Sequence, residues 1–423
     1  ENPKIKGIKK GEKILKTNNF FEEIPNIILN LDNSYIYLQG PPGTGKTTQA
    51  ANAIVELIKK NKKVAITANS HKVIHNLIEK VEITATEKKV NFKGLKAGRT
   101  NDVDTIYNGK FVVTSSRDTD FIYGVKDKTT LLFAGTKYHL SNSYYDSKID
   151  YLFIDEAGQI SVADLIVLGQ IAKNIVLIGD QNQLGQPTKG SHPGLSGKSI
   201  LEFLLEGQDT ISEDKGIFLN KTYRLHPKIN EFTSSSFYES RLITDEQTRN
   251  RKILFKDKGF FDESGIYYLD MNHEDNTQTS QEECDEIKKI IDGFIGQEYF
   301  DGKKNRKITI KDILIISPYN AQVNLIGFNL KNKEARVGTI DKFQGQEAPI
   351  TIISMTSSDP ENLPRNKEFF FSRNRLNVAI SRAQCISIIL FNSNLLNFVP
   401  KSVDQIKLIN NFYKIKKKYK KIN

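Results

Sequence analysis

Short apolar runs alternate with longer amphipathic stretches along most of the chain. In the N-terminal half, five runs of β-branched or aromatic residues are separated by segments with helical periodicity. Short runs that are apolar throughout are typical of strands buried on both faces, so the alternation predicts a parallel sheet in an α/β fold. The predicted strands of this first series are YIYLQ (35–39), VAITA (64–68), LLFAG (131–135), YLFID (151–155) and IVLIGD (175–180).

A second series of strands follows a polar stretch at about 181–216. A chain of 423 residues is too long for one hydrophobic core, so two α/β domains are predicted. The predicted strands of the second series are ILIISPY (313–319), RVGTI (336–340), ITIISM (350–355) and ISIILFN (386–392). The predicted organisation is an N-terminal segment at 1–30, a first domain at 31–215 with a small insertion at about 81–130, a second domain at 216–400, and a basic tail at 401–423.

The charge balance indicates a polyanionic partner. The chain has 61 Lys and Arg against 50 Asp and Glu, a net charge of +11. Lys, Ile and Asn are abundant throughout, which weakens this inference because it is also the mark of a biased composition. The concentrated basic segment KIKKKYKKIN is either a nucleic-acid arm or a solubilising end, and the sequence leaves both readings open.

Several classes of function are disfavoured by simple counts. No apolar run approaches 18 residues, so no membrane span is predicted. Cys284 and Cys385 lie far apart without CxxC spacing, which argues against a metal cluster or disulfide framework and favours the cytoplasm. His71 and His75 are four residues apart, but without a third ligand nearby surface histidines are the favoured reading. The chain lacks an initiator Met, so it is expected to be part of something longer.

A glycine-rich turn directly follows the first predicted strand. GPPGTGKTT (40–48) fits the pattern G-x-x-x-x-G-K-[ST], and AANAIVELIKK continues as a helix. Backbone N–H groups of such a loop close on phosphates, and the helix N-terminus favours the anion. Lys46 would neutralise the β and γ phosphates, and Thr47 would hold Mg²⁺. The predicted nucleotide contacts are Gly43, Thr44, Gly45, Lys46, Thr47 and Thr48.

Acidic residues end the strand that follows about a hundred residues later. In YLFIDEAGQ (151–159), Asp155 stands at the carboxyl end of an apolar strand and can orient Mg²⁺. Glu156 beside it can accept a proton from the attacking water. The next strand ends in GDQNQLGQP (179–187), where Gln183 could sense the γ-phosphate, although a plain polar loop is the alternative. These residues predict hydrolysis of a nucleoside triphosphate.

The ordered motifs resemble those of superfamily 1 helicases, in the subgroup that includes the nonsense-mediated-decay helicase. The matching segments are GPPGTGKT, TANSHKVIHNLI (67–78), DEAGQ, GDQNQL, LNKTYRLHP (219–227), ISPYNAQ (316–322), VGTIDKFQGQE (337–347) and NRLNVAISRA (374–383). A narrower likeness, to the helicase portion of bacterial proteins that join a RecB-like nuclease to such a helicase, rests on segments 186–194, 223–242 and 364–383.

The resemblance implies two RecA-like P-loop domains with ATP in the cleft between them. By similarity, Tyr223 would stack on adenine, Arg224 would reach the γ-phosphate, and Glu347 would bond the ribose. Arg382 corresponds to the arginine finger of the family. Arg375 opens the same motif and more plausibly bonds within or between the domains, and Arg373 has no assigned role. The family's adenine-reading glutamine motif has no counterpart in 21–35, so triphosphate hydrolysis is better supported than a strict preference for ATP.

Contacts to a nucleic-acid strand are expected at the loops after strands, where small polar side chains and N–H groups can hold phosphates. For each of them an ordinary turn or helix cap is the competing reading. With no Trp in the chain, base stacking would use Tyr138 or Phe343. The predicted strand contacts are Asn69, Ser70, Thr136, Pro318, Tyr319, Asn320 and Thr339.

The resulting prediction is an ATP-dependent helicase or translocase on single-stranded nucleic acid. DNA is favoured over RNA, and 5′-to-3′ movement is implied by the subgroup. The alternatives are an RNA helicase of the same subgroup, or a nucleotide-switch ATPase that regulates a protein partner. No nuclease cluster was found in the sequence, so any nuclease would be attached beyond this chain or separate from it. ATP and Mg²⁺ are the predicted cofactors, and the chain is predicted to be a monomer.

Overall fold

The structure, a computed structural model, describes residues 2–17, 19–186, 192–256 and 261–422, without the side chains of Asp404 and Ile422. The chain forms two compact units. The first unit comprises Glu1–Gln181 and Gly185–Asn220, and the second comprises Asn182–Leu184 and Lys221–Asn423. The division after residue 220 lies five residues beyond the predicted boundary, and a three-residue segment of the polar connection groups with the second unit.

The first unit is built on an eight-stranded sheet in which every neighbouring pair is parallel. The strand order is β4-β3-β5-β2-β6-β7-β1-β8. The strands are β1 Tyr35–Gln39, β2 Val64–Thr67, β3 Lys93–Ala97, β4 Val112–Ser115, β5 Thr130–Ala134, β6 Ile149–Ile154, β7 Ala172–Gly179 and β8 Gly216–Phe218. All five predicted strands of the first series are therefore present, and a parallel α/β fold is confirmed for this unit.

Helices cover this sheet and bury its apolar side chains. The core of the unit includes Ile66 and Phe153 from the sheet and Ile54 and Leu77 from the helices, all fully buried. Apolar positions recur at helical spacing in α2 and α3, which is why one face of each packs inward. The helices are α1 Phe20–Leu29, α2 Lys46–Lys59, α3 His71–Glu87, α4 Asp118–Lys126, α5 Lys137–Leu140, α6 Val162–Leu168 and α7 Ile200–Leu205.

Two segments predicted to stand apart are integrated into the first unit. Residues 81–130, expected as a small insertion, complete α3 and add β3 and β4 to one edge of the sheet. The hydrophobic periodicity of this segment is weak because β3 and β4 are short and contain polar residues. Both strands lie near an edge of the sheet, where side chains can meet solvent. The N-terminal segment 1–30 also joins this core, because Ile5, Ile14 and Ile24 are buried in it.

The second unit contains a six-stranded sheet, again parallel throughout, in the order β16-β15-β17-β18-β12-β19. The unit also contains two small sheets. One pairs β9 with β10, and the other consists of β11, β13 and β14. All four predicted strands of the second series are present in the large sheet. The strands are β9 Lys221–Thr222, β10 Ile243–Thr244, β11 Lys252–Leu254, β12 Gly265–Asp270, β13 Glu298–Phe300, β14 Asn305–Lys307, β15 Ile313–Ile316, β16 Arg336–Gly338, β17 Ala348–Ser354, β18 Ala383–Phe391 and β19 Lys420–Ile422.

Seven helices of the described chain belong to this unit, and its core contains Ile287, Ile315 and Ile388 at full burial. Five of these seven helices, α10 to α14, lie in the chain between strands of the six-stranded sheet or next to one, whereas α8 and α9 lie between strands of the small sheets. The helices are α8 Pro227–Phe237, α9 Glu246–Arg249, α10 Gln281–Phe294, α11 Asn320–Leu330, α12 Lys367–Phe370, α13 Arg373–Ile380 and α14 Val403–Lys418. No helix in the described ranges is both long enough and apolar enough to cross a bilayer.

The basic C-terminal segment is an ordered part of the second unit. Helix α14 leads into β19, which pairs with β12 at the edge of the sheet. Its lysines meet acidic side chains of the same unit: Lys418 lies 2.6 Å from Glu231, and Lys420 lies 3.5 Å from Asp262. The segment is thus neither a free arm nor a free solubilising end, since it completes a sheet.

Candidate functional site

The turn between β1 and α2 has the conformation of a phosphate-binding loop. Gly43 and Gly45 have φ values of 74° and 78°, a left-handed conformation that glycine adopts without a Cβ penalty. Gly45 stands directly before α2, whose first-turn N–H groups lack intrahelical acceptors. The sequence GTGKTT therefore turns backbone donors outward at the positive end of a 14-residue helix.

Lys46 is held across this turn. Its Nζ donates a hydrogen bond to the carbonyl oxygen of Gly40 at 2.5 Å, and its aliphatic stem passes over that glycine so closely that a Cβ there would clash with it. Thr44 donates to the carbonyl of Pro41 at 2.8 Å and so fixes the loop from inside. Lys46, Thr47 and Thr48 are half-buried, which leaves them accessible to a ligand. The loop fits a nucleotide phosphate group.

Asp155 and Glu156 follow β6 at the carboxyl edge of the same sheet. Asp155 is buried, and its Oδ1 accepts a hydrogen bond from the backbone N–H of Glu156 at 2.9 Å. Burial and the adjacent Glu156 carboxylate raise the pKa of Asp155 to about 7, while the positive charge of Lys46 acts in the opposite direction. The positive charge of Lys46 therefore reaches the acidic pair within the first unit.

Glu156 has an unusual backbone. Its φ of 52° and ψ of 46° are left-handed, a conformation that costs an ordinary residue about 1–2 kcal/mol. It precedes the short 3₁₀ helix Ala157–Gln159, so the chain leaves the extended conformation of β6 at this point. A strained glutamate directly after a buried aspartate is typical of a site where side-chain direction matters more than local stability.

The donor set suits a hard divalent cation. The Asp155 carboxylate and the Thr47 hydroxyl are oxygen ligands, the type that Mg²⁺ prefers. A cation would also offset the cost of two adjacent carboxylates, one of which is buried. These residues fit magnesium, and Asp155 and Thr47 would hold it.

In the second unit, Arg224 and Glu347 are paired with each other. Arg224 Nε forms an ion pair with Glu347 Oε2, and its Nη1 donates to the carbonyl of Ser381 at 3.3 Å. Burial alone would raise the pKa of Glu347, but the charge and hydrogen bond of Arg224 hold it below its ordinary value. The two residues assigned by resemblance to γ-phosphate and ribose thus share one cluster.

Two members of this cluster were missed by the sequence reasoning. Arg251 donates to the carbonyl oxygens of Arg224 and, at 3.2 Å, Tyr223. Gln384 donates to Glu347 Oε1 at 2.7 Å. Neither residue lies within a motif, and only long-range folding brings them here, so no local signal could have revealed them. The ring of Tyr223 is about half exposed and remains available for stacking.

The segment NRLNVAISRA contains Arg375 and Arg382, and Arg373 directly precedes it. These three arginines have separate environments. Arg382 is 2% exposed, and its Nη1 donates to the carbonyl of Gln346 at 3.2 Å. Arg375 pairs with Asp341 at 3.1 Å within the same unit, which answers the question left open between an internal and an interdomain bond. Arg373 donates to the carbonyl of Ser236 at 2.6 Å, a structural bond to α8.

The loop after β7 is divided between the units. Asp180 and Gln181 belong to the first unit, whereas Asn182, Gln183 and Leu184 group with the second. Asn182 is anchored there, because its Nδ2 donates to the carbonyl of Phe237 and its own carbonyl accepts from Asn377, both at 2.7 Å. Gln183 is buried in this segment, and its contact with a γ-phosphate stays a prediction.

The predicted nucleic-acid contacts of the first unit lie after the ends of β-strands, and one of them caps a helix. Ser70 caps α3 by accepting a hydrogen bond from the backbone N–H of Val73 at 3.3 Å. Asn69 donates to the side chain of Gln159 at 3.3 Å, and Thr136 stands directly before α5. Tyr138 is 79% exposed, with Lys137 Nζ 5.4 Å from its ring centre.

In the second unit the aromatic candidates are less accessible than expected. Tyr319 is buried and lies against Phe370, with ring centres 6.2 Å apart. Phe343 is also buried, so the prediction that it offers a stacking surface is wrong for this conformation. Pro318 and Thr339 are half-buried and Asn320 is exposed, so these three remain available for phosphate contacts.

The histidine pair has an environment that disfavours a metal ion. His71 Nδ1 lies 3.0 Å from Nζ of Lys96, a lysine with no exposed surface. Burial and the Lys96 charge lower the pKa of His75 to about 4. A cation already lies beside the imidazoles, which disfavours a metal ion. The expectation of satisfied surface histidines fails for His75, because that residue is half-buried and its Nε2 has no hydrogen-bond partner within the described residues.

Comparison with known proteins agrees with these features. Two family models, both described as AAA domains, match residues 25–194 and 197–394. The chain is 26% identical over 85% of its length to the DNA replication ATP-dependent helicase/nuclease dna2 of Schizosaccharomyces pombe, and 24% identical over 84% to that yeast's DNA polymerase alpha-associated DNA helicase A. It is 26% identical over 85% to the ATP-dependent helicase upf1 of the same organism.

The chain spans only part of these relatives, covering 26%, 61% and 43% of their respective lengths. Among solved structures, an arterivirus nonstructural protein 10 (helicase) aligns over 85% of the chain and 60% of its own length, with a TM-score of 0.47 and 13% identity. The phosphate loop, the acidic pair and two parallel-sheet units agree with the family matches across most of the chain. The two AAA-domain matches and the helicase relatives support a place among the superfamily 1 helicases and indicate an ATP-hydrolysing enzyme.

Proposed function

We propose that the protein is an ATP-driven motor that moves along single-stranded nucleic acid, with DNA favoured over RNA and a 5′-to-3′ direction. The observation that carries the proposal is the division of chemistry between the two units. The first unit has the phosphate loop and the acidic pair, and the second concentrates Arg224, Glu347 and Arg382 in its own sheet region. A simple nucleotide switch needs only the first set.

In the first unit, the proposed roles follow from geometry and charge. Lys46 would leave the Gly40 carbonyl and bind the β and γ phosphates, since a phosphate oxygen is a stronger acceptor than a neutral carbonyl. Glu156 would accept the proton of the attacking water, and Asp155 and Thr47 would hold the metal. Magnesium, when bound, would neutralise charge that develops on the phosphate oxygens.

We propose that residues of the second unit act on the same nucleotide. Tyr223 would stack on the adenine, Glu347 would accept a hydrogen bond from the ribose, and Arg224 would exchange Glu347 for the γ-phosphate. Arg382 would stabilise the charge of the transition state, which for a positioned arginine is worth about 10³–10⁵ in rate. Gln183 would sense the γ-phosphate from the shared loop after β7. Loss of that phosphate would release these contacts and drive a conformational step.

The nucleic-acid strand would be held mainly through its phosphates. Support comes from the net charge of +11 and from small polar residues at the carboxyl ends of strands in both units. The proposed contacts are Asn69, Ser70, Thr136, Pro318, Asn320, Thr339 and the backbone of Tyr319. Because its ring is buried, Tyr319 is proposed to contribute only its main chain.

We also propose that this region works beside a nuclease, attached or separate, as a cytoplasmic monomer. Support comes from the likeness of segments 223–242 and 364–383 to RecB-like nuclease/helicase fusions, and from a relative named as a helicase/nuclease. The third segment of that likeness, 186–194, lies partly outside the described residues, since 187–191 are not described.

The test is the ATPase rate with matched single-stranded DNA and RNA oligonucleotides, followed by unwinding of duplexes with 5′ or 3′ tails. The proposal expects stimulation by DNA above that by RNA and activity on the 5′-tailed duplex. Stimulation by RNA alone would replace DNA by RNA as the substrate. An ATPase rate that neither nucleic acid changes would leave the nucleotide-switch reading in place of the motor.

A further inference from the structure

A hydrogen bond of the first unit joins a proposed nucleic-acid contact to the turn that follows the acidic pair. Asn69, which lies just after β2, donates from its Nδ2 to the side-chain oxygen Oε1 of Gln159 at 3.3 Å. β2 and β6 are neighbours in the sheet, so their carboxyl ends bring these two distant residues to the same edge. Asn69 is exposed and Gln159 is half-buried. Gln159 has none of the roles proposed above.

The backbone of the same turn holds the proposed base, Glu156. Gln159 donates from its backbone N–H to the carbonyl oxygen of Glu156 at 2.9 Å, which closes the short 3₁₀ helix Ala157–Gln159 on that residue. Glu156 has its left-handed φ of 52° at the start of this turn. A residue in such a conformation keeps it only where the surrounding structure holds it there. A displacement of Gln159 therefore acts directly on the backbone of Glu156.

The turn packs closely against the end of β7. A Cβ added to Gly179 would lie 3.0 Å from the backbone nitrogen of Ala157 and 3.3 Å from that of Gly158. A Cβ added to Gly158 would in turn lie 3.6 Å from the carbonyl oxygen of Asp180. Main chain thus packs on main chain, an arrangement with little room for movement. A ligand can act on the turn from the side of Asn69, because that residue is exposed.

We propose that Gln159 is a positioning residue through which a bound nucleic-acid strand stimulates hydrolysis. The Asn69 amide has two N–H donors, so one can bind a phosphate oxygen of the strand while the other keeps its bond to Gln159. Hydrogen bonds in a chain strengthen one another, so the phosphate fixes Asn69 and Asn69 fixes Gln159. The turn then holds Glu156 in the direction that hydrolysis needs. The inference rests on the proposed function and deepens it by naming the connecting residue.

The alternative is that the bond between Asn69 and Gln159 only stabilises the fold of the first unit. A hydrogen bond between two accessible amides contributes little to stability, because water competes for both groups. Its loss would then affect the ATPase rate equally with and without nucleic acid, since the same folded unit performs both reactions. A positioning role predicts a loss that falls mainly on the stimulated rate.

The experiment measures the ATPase rate of the full chain without nucleic acid and in titrations with matched thymidine and uridine oligonucleotides. Gln159→Leu should lower the rate at saturating oligonucleotide about threefold to tenfold, the scale of one lost hydrogen bond. The unstimulated rate should fall much less, and the oligonucleotide concentration for half-maximal stimulation should change less than about twofold. Gln159→Ala makes the same test if the leucine variant fails to fold.

Further variants separate the hydrogen bond from the side chain that makes it. Gln159→Glu keeps an acceptor oxygen within reach of Asn69 and should recover most of the stimulation. The control Gln170→Leu changes an exposed glutamine of the same unit and should match the wild type. Asn69→Ala should weaken oligonucleotide binding in both backgrounds, but in the Gln159→Leu background it should lower the saturated rate further by less than about twofold.

The results separate this inference from the proposed function. A wild type that oligonucleotides stimulate, with Gln159→Leu stimulated to the same extent, would overturn the positioning role and leave the motor intact. The same holds if the losses from Asn69→Ala and Gln159→Leu multiply, because the two residues would then act independently. A wild type that neither DNA nor RNA stimulates would overturn the motor itself, and the positioning role with it.

Discussion

The two units hold their key residues in different ways. In the first, function depends on backbone conformation: Gly43, Gly45 and Glu156 all have left-handed φ values, and Lys46 crosses a glycine with no room for a Cβ. In the second, the key groups are side chains, and two of them, Arg224 and Glu347, form an ion pair with each other.

This difference suggests a division of tasks. A site built from main-chain turns is rigid and preorganised, so it suits phosphate groups that must always bind in the same place. A site built from ion pairs can exchange partners at small cost, because a phosphate replaces a carboxylate as the acceptor. The first unit would therefore hold the nucleotide, and the second would respond to it.

The largest effect is expected at Arg382. Arg382→Ala should lower turnover by about 10³–10⁵ while nucleotide affinity changes little, because a transition-state contact affects kcat before binding. Steady-state ATPase assays and nucleotide titrations measure the two quantities. The matched control is Arg373→Ala, which removes a neighbouring arginine that donates to the Ser236 carbonyl and lies over the Phe237 ring. Equal losses of turnover and affinity would make Arg382 a ground-state ligand and weaken the contrast between the units.

Glu156 tests the chemistry of the first unit. Glu156→Gln should retain nucleotide binding and lose about 10²–10⁴ in turnover, since the amide cannot accept the proton of the attacking water. Glu206→Gln is a close control, because Glu206 has the same left-handed backbone in the same unit, with φ of 51°. Undiminished turnover of the Glu156 variant would remove this residue from the role of base.

A substitution at Gly40 tests whether nucleotide binding by the first unit requires a residue without a Cβ at this position. Gly40→Ala places a methyl group against the stem of Lys46 and should weaken nucleotide binding about tenfold, the cost of overpacking at one position. Gly185→Ala is the control, because a Cβ there meets no atom within 4 Å. Binding by the Gly40 variant at the wild-type level, measured by titration, would show that the loop is more adaptable than proposed.

The smallest effect is expected at Arg251, which donates hydrogen bonds to the backbone carbonyls of Tyr223 and Arg224. Arg251→Ala removes its hydrogen bonds to two backbone carbonyls and should raise the KM for ATP about threefold to tenfold, with kcat less affected. Arg249→Ala changes an exposed arginine two residues away and serves as the control. An unchanged KM would mean that the Tyr223–Arg224 segment keeps its position without the hydrogen bonds of Arg251.

The sequence predicted the central strands well and the sheet edges poorly. IVLIGD and ISIILFN are mostly apolar because both faces of a central parallel strand are buried, and that composition is visible locally. β19 is a strand made of KKI at the end of a lysine-rich segment, and it forms only because β12 offers an unpaired edge. Its conformation is set by tertiary contact, which no local pattern records.

The candidate site likewise contains residues that local sequence predicted and residues that it did not. The phosphate loop and Asp155–Glu156 were predictable because their function requires particular residues at fixed spacing. Arg251 and Gln384 could not be predicted, because hydrogen bonds over 27 and 37 residues bring them to Arg224 and Glu347. Burial of Phe343 was equally hidden, because no local pattern in VGTIDKFQGQE marks it as buried.

The most direct test of the central claim is the ATPase rate of the full chain with and without saturating single-stranded DNA. If both units act on one nucleotide and on one strand, DNA should stimulate the wild type strongly and should not restore the rate of Arg382→Ala. A wild-type rate that is the same with DNA, with RNA and with neither would contradict the account, because the second unit would then have no strand to which it responds.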